Sequence, residues 1–231
     1  MSYRKEGFKL KWAMFFWNLA LFLFSVYCSL GFVWRLYVQS MKYGFQVTLC
    51  DPEGRLWEGI DLFYVWIFLV SKFIELGDTV FLVVRKSKVI FLHWYHHVTV
   101  LLYCWHANDT HSSNSILFGT MNAWVHAVMY FYYTLTSLEY KPSWGEWVTR
   151  LQLSQMVGGI LISSTWAYMT LVQGAKCYST NPEHSVLTAV VMYGSYFILF
   201  AKFYVDRWLE RKHKADALKK DAAQEHKKKQ H

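Results

Sequence analysis

Ala13-Met14-Phe15-Phe16-Trp17-Asn18-Leu19-Ala20-Leu21-Phe22-Leu23-Phe24-Ser25-Val26-Tyr27-Cys28-Ser29-Leu30-Gly31-Phe32-Val33-Trp34 runs for 22 residues without a charged side chain. About 20 apolar residues at ~1.5 Å rise span the roughly 30 Å of hydrocarbon in a bilayer. Inside lipid a chain must satisfy its own N–H and C=O groups, so such a run reads as a helix. The run is too long for a cleavable signal peptide and lacks a small-residue processing site, which predicts that it stays in the protein.

Five further runs follow: Ile60–Val84, Val89–Trp105, Ser115–Ser137, Val148–Val172 and Ser185–Tyr204. The chain is 54% hydrophobic and 19% aromatic, above the roughly 45–50% apolar content of soluble domains. The expected fold is an all-α integral membrane protein with six transmembrane helices. Residues 1–206 form one membrane domain and 207–231 a basic tail, with no internal repeat and no soluble second domain.

The net charge of +8 does not point to nucleic acid, because the excess sits in loops and the tail. A membrane surface fits it better. Lys and Arg gather in the N-terminal stretch (Arg4, Lys5, Lys9, Lys11), in Arg85-Lys86-Ser87-Lys88, at Lys141 and Arg150, and after Trp208. With six spans these all fall on one side, which the positive-inside rule makes cytosolic, so both termini are cytosolic. The end Lys228-Lys229-Gln230-His231 matches the di-lysine pattern that returns membrane proteins to the endoplasmic reticulum, a receptor-read address. Cys28 and Cys104 lie in spans. Cys50 and Cys177 fall in loops on the far side, where an oxidising lumen allows a disulfide that would clip the two loops together.

The polar residues inside the spans carry the chemistry. Ionisable groups at membrane depth are costly and mark function by default. Lys72, Glu75 and Asp78 follow one another at helical spacing in the second run. Buried ions gain little stability from pairing alone, which favours support of a site over a purely structural role. The third run holds His93-Trp94-Tyr95-His96-His97, whose imidazoles at i, i+3 and i+4 share one helical face. In the fourth, Asn122, His126 and Tyr130 are spaced by four and line one stripe, while the fifth adds Gln152 and Gln155.

Three chemistries use such a constellation. A di-iron lipid oxygenase or desaturase also carries a His-x-x-His-His box, but needs about eight histidine ligands, and further boxes are missing here. A histidine-lined membrane carrier would relay protons near the midplane, but typically shows repeats and paired helix breaks. Acyl transfer needs an imidazole as general base or nucleophile, and no Gly-x-Ser-x-Gly elbow competes with histidine for that role.

In order and spacing, Lys72-Phe73-Ile74-Glu75-Leu76-Gly77-Asp78-Thr79, the His93–His97 box, Asn122 to Tyr133, and Gln152-Leu153-Ser154-Gln155 resemble the ELO/ELOVL very-long-chain fatty acid elongases. The box itself, Leu92 to Tyr103, is similar to the branch acting on saturated and monounsaturated chains. The resemblance implies a 3-oxoacyl-CoA synthase that condenses an acyl-CoA with malonyl-CoA, releasing carbon dioxide and CoA. It implies six helices forming a barrel around an acyl tunnel, and no cofactor or metal, malonyl-CoA being a co-substrate. The family's additional N-terminal helix has no counterpart, since this sequence starts just before the family's second span. On this reading His96 and His126 flank the thioester, with His93 and His97 assisting. Lys72, Glu75, Asp78, Asn122, Tyr130, Gln152 and Gln155 support the site. Arg85, Lys86, Lys88, Lys141 and Lys202 meet CoA phosphates at the cytosolic mouth. The expected partners are membrane lipid and the other enzymes of the elongation cycle, and a homodimer is allowed.

Overall fold

The computed structural model describes residues 7–140 and 142–229, and among them contains helices and turns but no strand. Its helices are α1 (Lys11–Tyr43), α2 (Gly59–Glu75), α3 (Gly77–Val84), α4 (Phe91–Asp109), α5 (Ser115–Ser137), α6 (Gly145–Ala167) and α7 (Pro182–Lys229). Two short 3₁₀ turns, Phe45–Thr48 and Arg55–Trp57, follow α1, and a π turn, Tyr168–Val172, extends α6. Lys141, Arg4, Lys5 and the closing Gln230-His231 lie outside the described residues.

The helices pack in a closed cycle: α1 on α5, α5 on α6, α6 on α7, α7 on α4, α4 on α2, and α2 back on α1. Two of them, α1 and the Pro182–His213 part of α7, are long and apolar enough to cross a membrane. Their outward stripes are made of large apolar groups. On α1 these are Trp12, Phe16, Leu23, Leu30 and Tyr37, and on α7 Leu187, Val191, Ile198 and Val205. An apolar surface of this extent suits lipid rather than water.

Three elements differ from the sequence reading. The run Ile60–Val84 is not one helix but breaks at Leu76, whose N–H turns back to Phe73 O at 3.3 Å. The cause lies in the next residue: a Cβ on Gly77 would collide with the indole of Trp17. The bare glycine lets α1 approach at the break, and Trp17 Nε1 donates to Asp78 Oδ1 at 2.6 Å there. Second, α1 runs nine residues beyond Trp34 to Tyr43. Its polar groups there are matched from α2, since Arg35 Nε and Nη2 and Gln39 Nε2 all donate to the Asp61 carboxylate at 2.7 Å. Third, α7 continues through the basic tail as one helix to Lys229.

Opposite the basic turn, the interhelical loops form a cap. Cys50 and Cys177 are disulfide-bonded, with Cα atoms 4.6 Å apart. Beside them Tyr178 N–H donates to Asp51 O at 2.8 Å, Ser113 N–H to Tyr178 O at 3.1 Å, and Trp166 Nε1 to Ser113 Oγ at 3.1 Å. The cap ties the α1–α2, α4–α5 and α6–α7 connections together.

Candidate active site

The end of α2 and the middle of α5 meet through one ammonium. Lys72 is only 2% exposed, and its Nζ donates to Glu75 Oε1 at 2.7 Å and to Asn122 Oδ1 at 2.8 Å. Lysine can only donate, so the amide atom of Asn122 that meets it is the oxygen, and the NH₂ group is turned away. Glu75 also accepts from Ser71 Oγ at 3.3 Å. Its other oxygen, Oε2, stands 3.5 Å from His126 Nδ1. That is an ion-pair distance without hydrogen-bond geometry, and Nδ1 has no hydrogen-bond partner among the described residues.

One turn on, Asp78 is held from two helices. Trp17 Nε1 occupies Oδ1, and the Tyr130 hydroxyl donates to Oδ2 at 2.8 Å. The Tyr130 proton is thereby committed to Asp78. Gln152 Nε2 sits 3.2 Å from Met129 Sδ, while Gln155 is buried.

The three imidazoles of α4 are not equivalent. His93 Nε2 pairs with Thr79 Oγ1 at 3.0 Å, and its ring lies 4.5 Å from that of His97. His96 packs edge-on against Tyr196 at 4.8 Å, and its Nδ1 is buried without a hydrogen-bond partner among the described residues. Two hollows adjoin these rings. A narrow inner cavity of about 50 Å³ is lined near the site by His96, Asn122 and Gln155, and beyond them by apolar groups such as Val100, Tyr103 and Phe118. An open vestibule of about 860 Å³ is lined by His93, His96, His97 and His126. Among the described residues, His96 alone lines both hollows.

The cations sort differently from the sequence reading. Arg85 lines the vestibule, whereas Lys86, Lys88 and Lys202 do not. Lys9 and Lys11 line it instead. In the sequence they registered only as charges that orient the chain, because nothing local shows that their segment folds back on the Arg85 turn. Phe8 N–H donates to Val84 O at 3.3 Å, which fixes that course. Lys11 also pairs with Glu139 at 3.2 Å, an exposed contact of little energy. Among the described residues no three His, Cys, Asp or Glu side chains converge as a metal-holding group.

The arrangement has the parts of an acyl-transfer site. It joins a nucleophile-capable imidazole at the mouth of an apolar channel, a second imidazole beside a carboxylate, and an amide donor locked by a buried ammonium. Comparison with known proteins points the same way. The model of the ELO: GNS1/SUR4 family matches residues 1–216. The chain is 37% identical over 211 residues to a very long chain fatty acid elongase 4 of Trypanosoma cruzi, covering 90% of this chain and 73% of that protein. It is 35% identical over 207 residues to very long chain fatty acid elongase 6 of Drosophila melanogaster (89% and 65% covered). Against very long chain fatty acid elongase 6 of Gallus gallus it is 34% identical over 215 residues (92% and 79%).

Proposed function

This chain belongs to the ELO (GNS1/SUR4) family and is a fatty acid elongase, and we propose that His96 is where its acyl-CoA and malonyl-CoA are joined. The observation that carries this reading is that His96 reaches both the narrow apolar cavity and the open vestibule. The acyl chain lies in the cavity and the CoA portions lie in the vestibule, their phosphates near Arg85, Lys9 and Lys11.

The His96 imidazole attacks the acyl thioester; a nitrogen–acyl bond forms, the carbon–sulfur bond breaks, and CoA leaves. Malonyl-CoA then loses carbon dioxide, and the electron pair of the broken carbon–carbon bond stays on C2. That carbanion attacks the acyl carbonyl, the carbon–nitrogen bond breaks, and 3-oxoacyl-CoA is released. No strong base is needed, because decarboxylation supplies the carbanion. His126 assists proton movement from the vestibule side, with the Glu75 carboxylate 3.5 Å from its Nδ1. The Asn122 NH₂, held by Lys72, donates to the developing oxyanion, a role usually worth about 3–4 kcal/mol. Tyr130 acts by fixing Asp78 and the α2–α3 break.

The closed cycle of helices and the apolar outer stripes support a six-span barrel around the acyl cavity. The charge distribution and di-lysine end support an endoplasmic reticulum membrane with the vestibule and C-terminus cytosolic. The 3-oxo product needs reduction and dehydration by separate enzymes. The test is the purified protein in lipid vesicles with an acyl-CoA and malonyl-CoA labelled at C2. Labelled 3-oxoacyl-CoA is the expected product, and its absence together with pH-driven flux across the vesicle wall would replace this reading with a carrier.

A further inference from the structure

His93 Nε2 is held by Thr79 at 3.0 Å, whereas His96 Nδ1 has no hydrogen-bond partner among the described residues. The outer torsion of a histidine side chain is broad rather than sharply staggered, so neighbouring rings set the angle of the His96 imidazole. His97 stands 5.6 Å from it, Tyr196 meets it edge-on at 4.8 Å, and Phe200 edge-on at 6.0 Å. Tyr196 and Phe200 are four residues apart on α7 and share one face. Tyr196 lines the inner cavity and Phe200 the vestibule, so the pair brackets the opening at which His96 stands. Tyr196 is the nearer ring, and it is only 1% exposed. Its hydroxyl lies 2.7 Å from Thr99 Oγ1 and 3.3 Å from His96 O. Thr99 has one hydroxyl proton and donates it to Tyr95 O at 2.6 Å. The Tyr196 hydroxyl is therefore the donor to Thr99 Oγ1, with His96 O as a second, longer acceptor. Both acceptors belong to α4, and one is the backbone of the residue whose imidazole the Tyr196 ring touches.

We propose that Tyr196 is a positioning residue for condensation, holding the His96 ring at the angle from which it reaches both the inner cavity and the vestibule. The inference rests on the reading of His96 as the residue that accepts the acyl group. Tyr196 acts through His96 and not on the reacting atoms, because its proton is committed to α4 and is not offered to an oxyanion in the cavity. Without the hydroxyl the Tyr196 ring is free to tilt, and the imidazole tilts with it. A misplacement of about 1 Å can cost about 10²-fold in rate. The loss falls on kcat and kcat/KM alike, as for an interaction made only in the transition state. A neighbouring bond supplies the control: Tyr95 Oη donates to Ser195 Oγ at 3.1 Å, tying α4 to α7 one residue away without touching His96.

The experiment is steady-state condensation of an acyl-CoA with labelled malonyl-CoA by monodisperse protein in lipid vesicles. Wild type is compared with Tyr196→Phe, which keeps the ring and removes the donor, with Thr99→Val, which removes the acceptor, and with Ser195→Ala, which cuts only the neighbouring tie. Tyr196→Phe and Thr99→Val are expected to lower kcat by about 10- to 100-fold while KM for both substrates stays within about twofold. The double variant should be no slower than the slower single, because both substitutions break one contact. Ser195→Ala should turn over like wild type. An equal loss in Ser195→Ala would overturn the inference by reducing Tyr196 to a tie between helices. A raised KM for acyl-CoA at unchanged kcat would also overturn it, by making Tyr196 a wall of the cavity, as would a wild-type kcat in Tyr196→Phe. Each of those results leaves the elongase reading intact. Turnover retained by His96→Ala would overturn the His96 reading and the inference together, and so would a wild type that makes no 3-oxoacyl-CoA.

Discussion

Replacing Lys72 by Met removes the one cation at the centre of the site while keeping much of its volume. Glu75, only 4% exposed, is then left with Ser71 Oγ at 3.3 Å and a non-hydrogen-bonded His126 at 3.5 Å. Stranding one partner of a buried pair costs about 3–5 kcal/mol. For a chain of this size that lowers the unfolding midpoint by about 2–4 °C per kcal/mol, or roughly 10 °C. Glu75→Gln is the mirror case, leaving the Lys72 ammonium with Asn122 Oδ1 and the Phe68 ring, 4.3 Å away. The double variant Lys72→Met/Glu75→Gln removes both charges, and apolar or neutral replacement of a buried pair is often close to neutral. Thermal unfolding in detergent, followed by loss of the monodisperse species on size exclusion, gives the cycle. Two destabilised singles and a double near wild type is the expected pattern. Activity should stay lost in the double, because Asn122 has no ammonium to hold its amide. A double as unstable as the sum of the singles would refute the reasoning, since the pair would then not be compensating itself.

Other consequences are separable from that one. Asn122→Ala should cost about 10²–10³ in kcat, as loss of an oxyanion donor does, whereas Tyr130→Phe should chiefly lower stability, by about 1.5–3 kcal/mol for a bond to a charged group. Steady-state condensation and thermal unfolding of the two variants distinguish these roles. Cys50 and Cys177 are 127 residues apart in sequence, so reducing their bond should cost about 4–5 kcal/mol by loop entropy, read as a lower unfolding midpoint under dithiothreitol that Cys50→Ser reproduces without it. On the basic side, Glu146 accepts from Arg150 Nη2 at 2.6 Å and Arg211 Nη1 at 2.5 Å. Arg150 first, then Arg211 and Tyr204, hold its carboxyl below the usual range. A depressed folded value means the clamp is complete above the ordinary Glu value of about 4.3 and is lost as pH falls through the folded one. Proteolysis near Arg211 should therefore rise on acidification in wild type and be insensitive to acid in Glu146→Gln.

Much of this was legible before any coordinates. The fourth run, Ser115–Ser137, coincides with α5, because an uninterrupted apolar stretch leaves a helix no alternative stop. The motif residues of α2, α4 and α5 come together since spacings of three and four put each set on one face. What stayed hidden depended on partners far along the chain. The break at Leu76 needs Trp17 pressed against Gly77. The extension of α1 needs Asp61 to match Arg35 and Gln39. Periodicity treats His93, His96 and His97 alike, and only the packing of Thr79 against His93 and of Tyr196 against His96 tells them apart. Likewise the spacing of Tyr130 on its stripe does not show that its hydroxyl donates to Asp78.

The most direct test of the account is condensation of an acyl-CoA with labelled malonyl-CoA by wild type and His96→Ala, each first shown to be monodisperse and equally heat-stable. Label in 3-oxoacyl-CoA with wild type, and none with the variant, is what a junction histidine requires. Turnover retained by a well-folded His96→Ala would contradict it and move the chemistry to another residue of the vestibule.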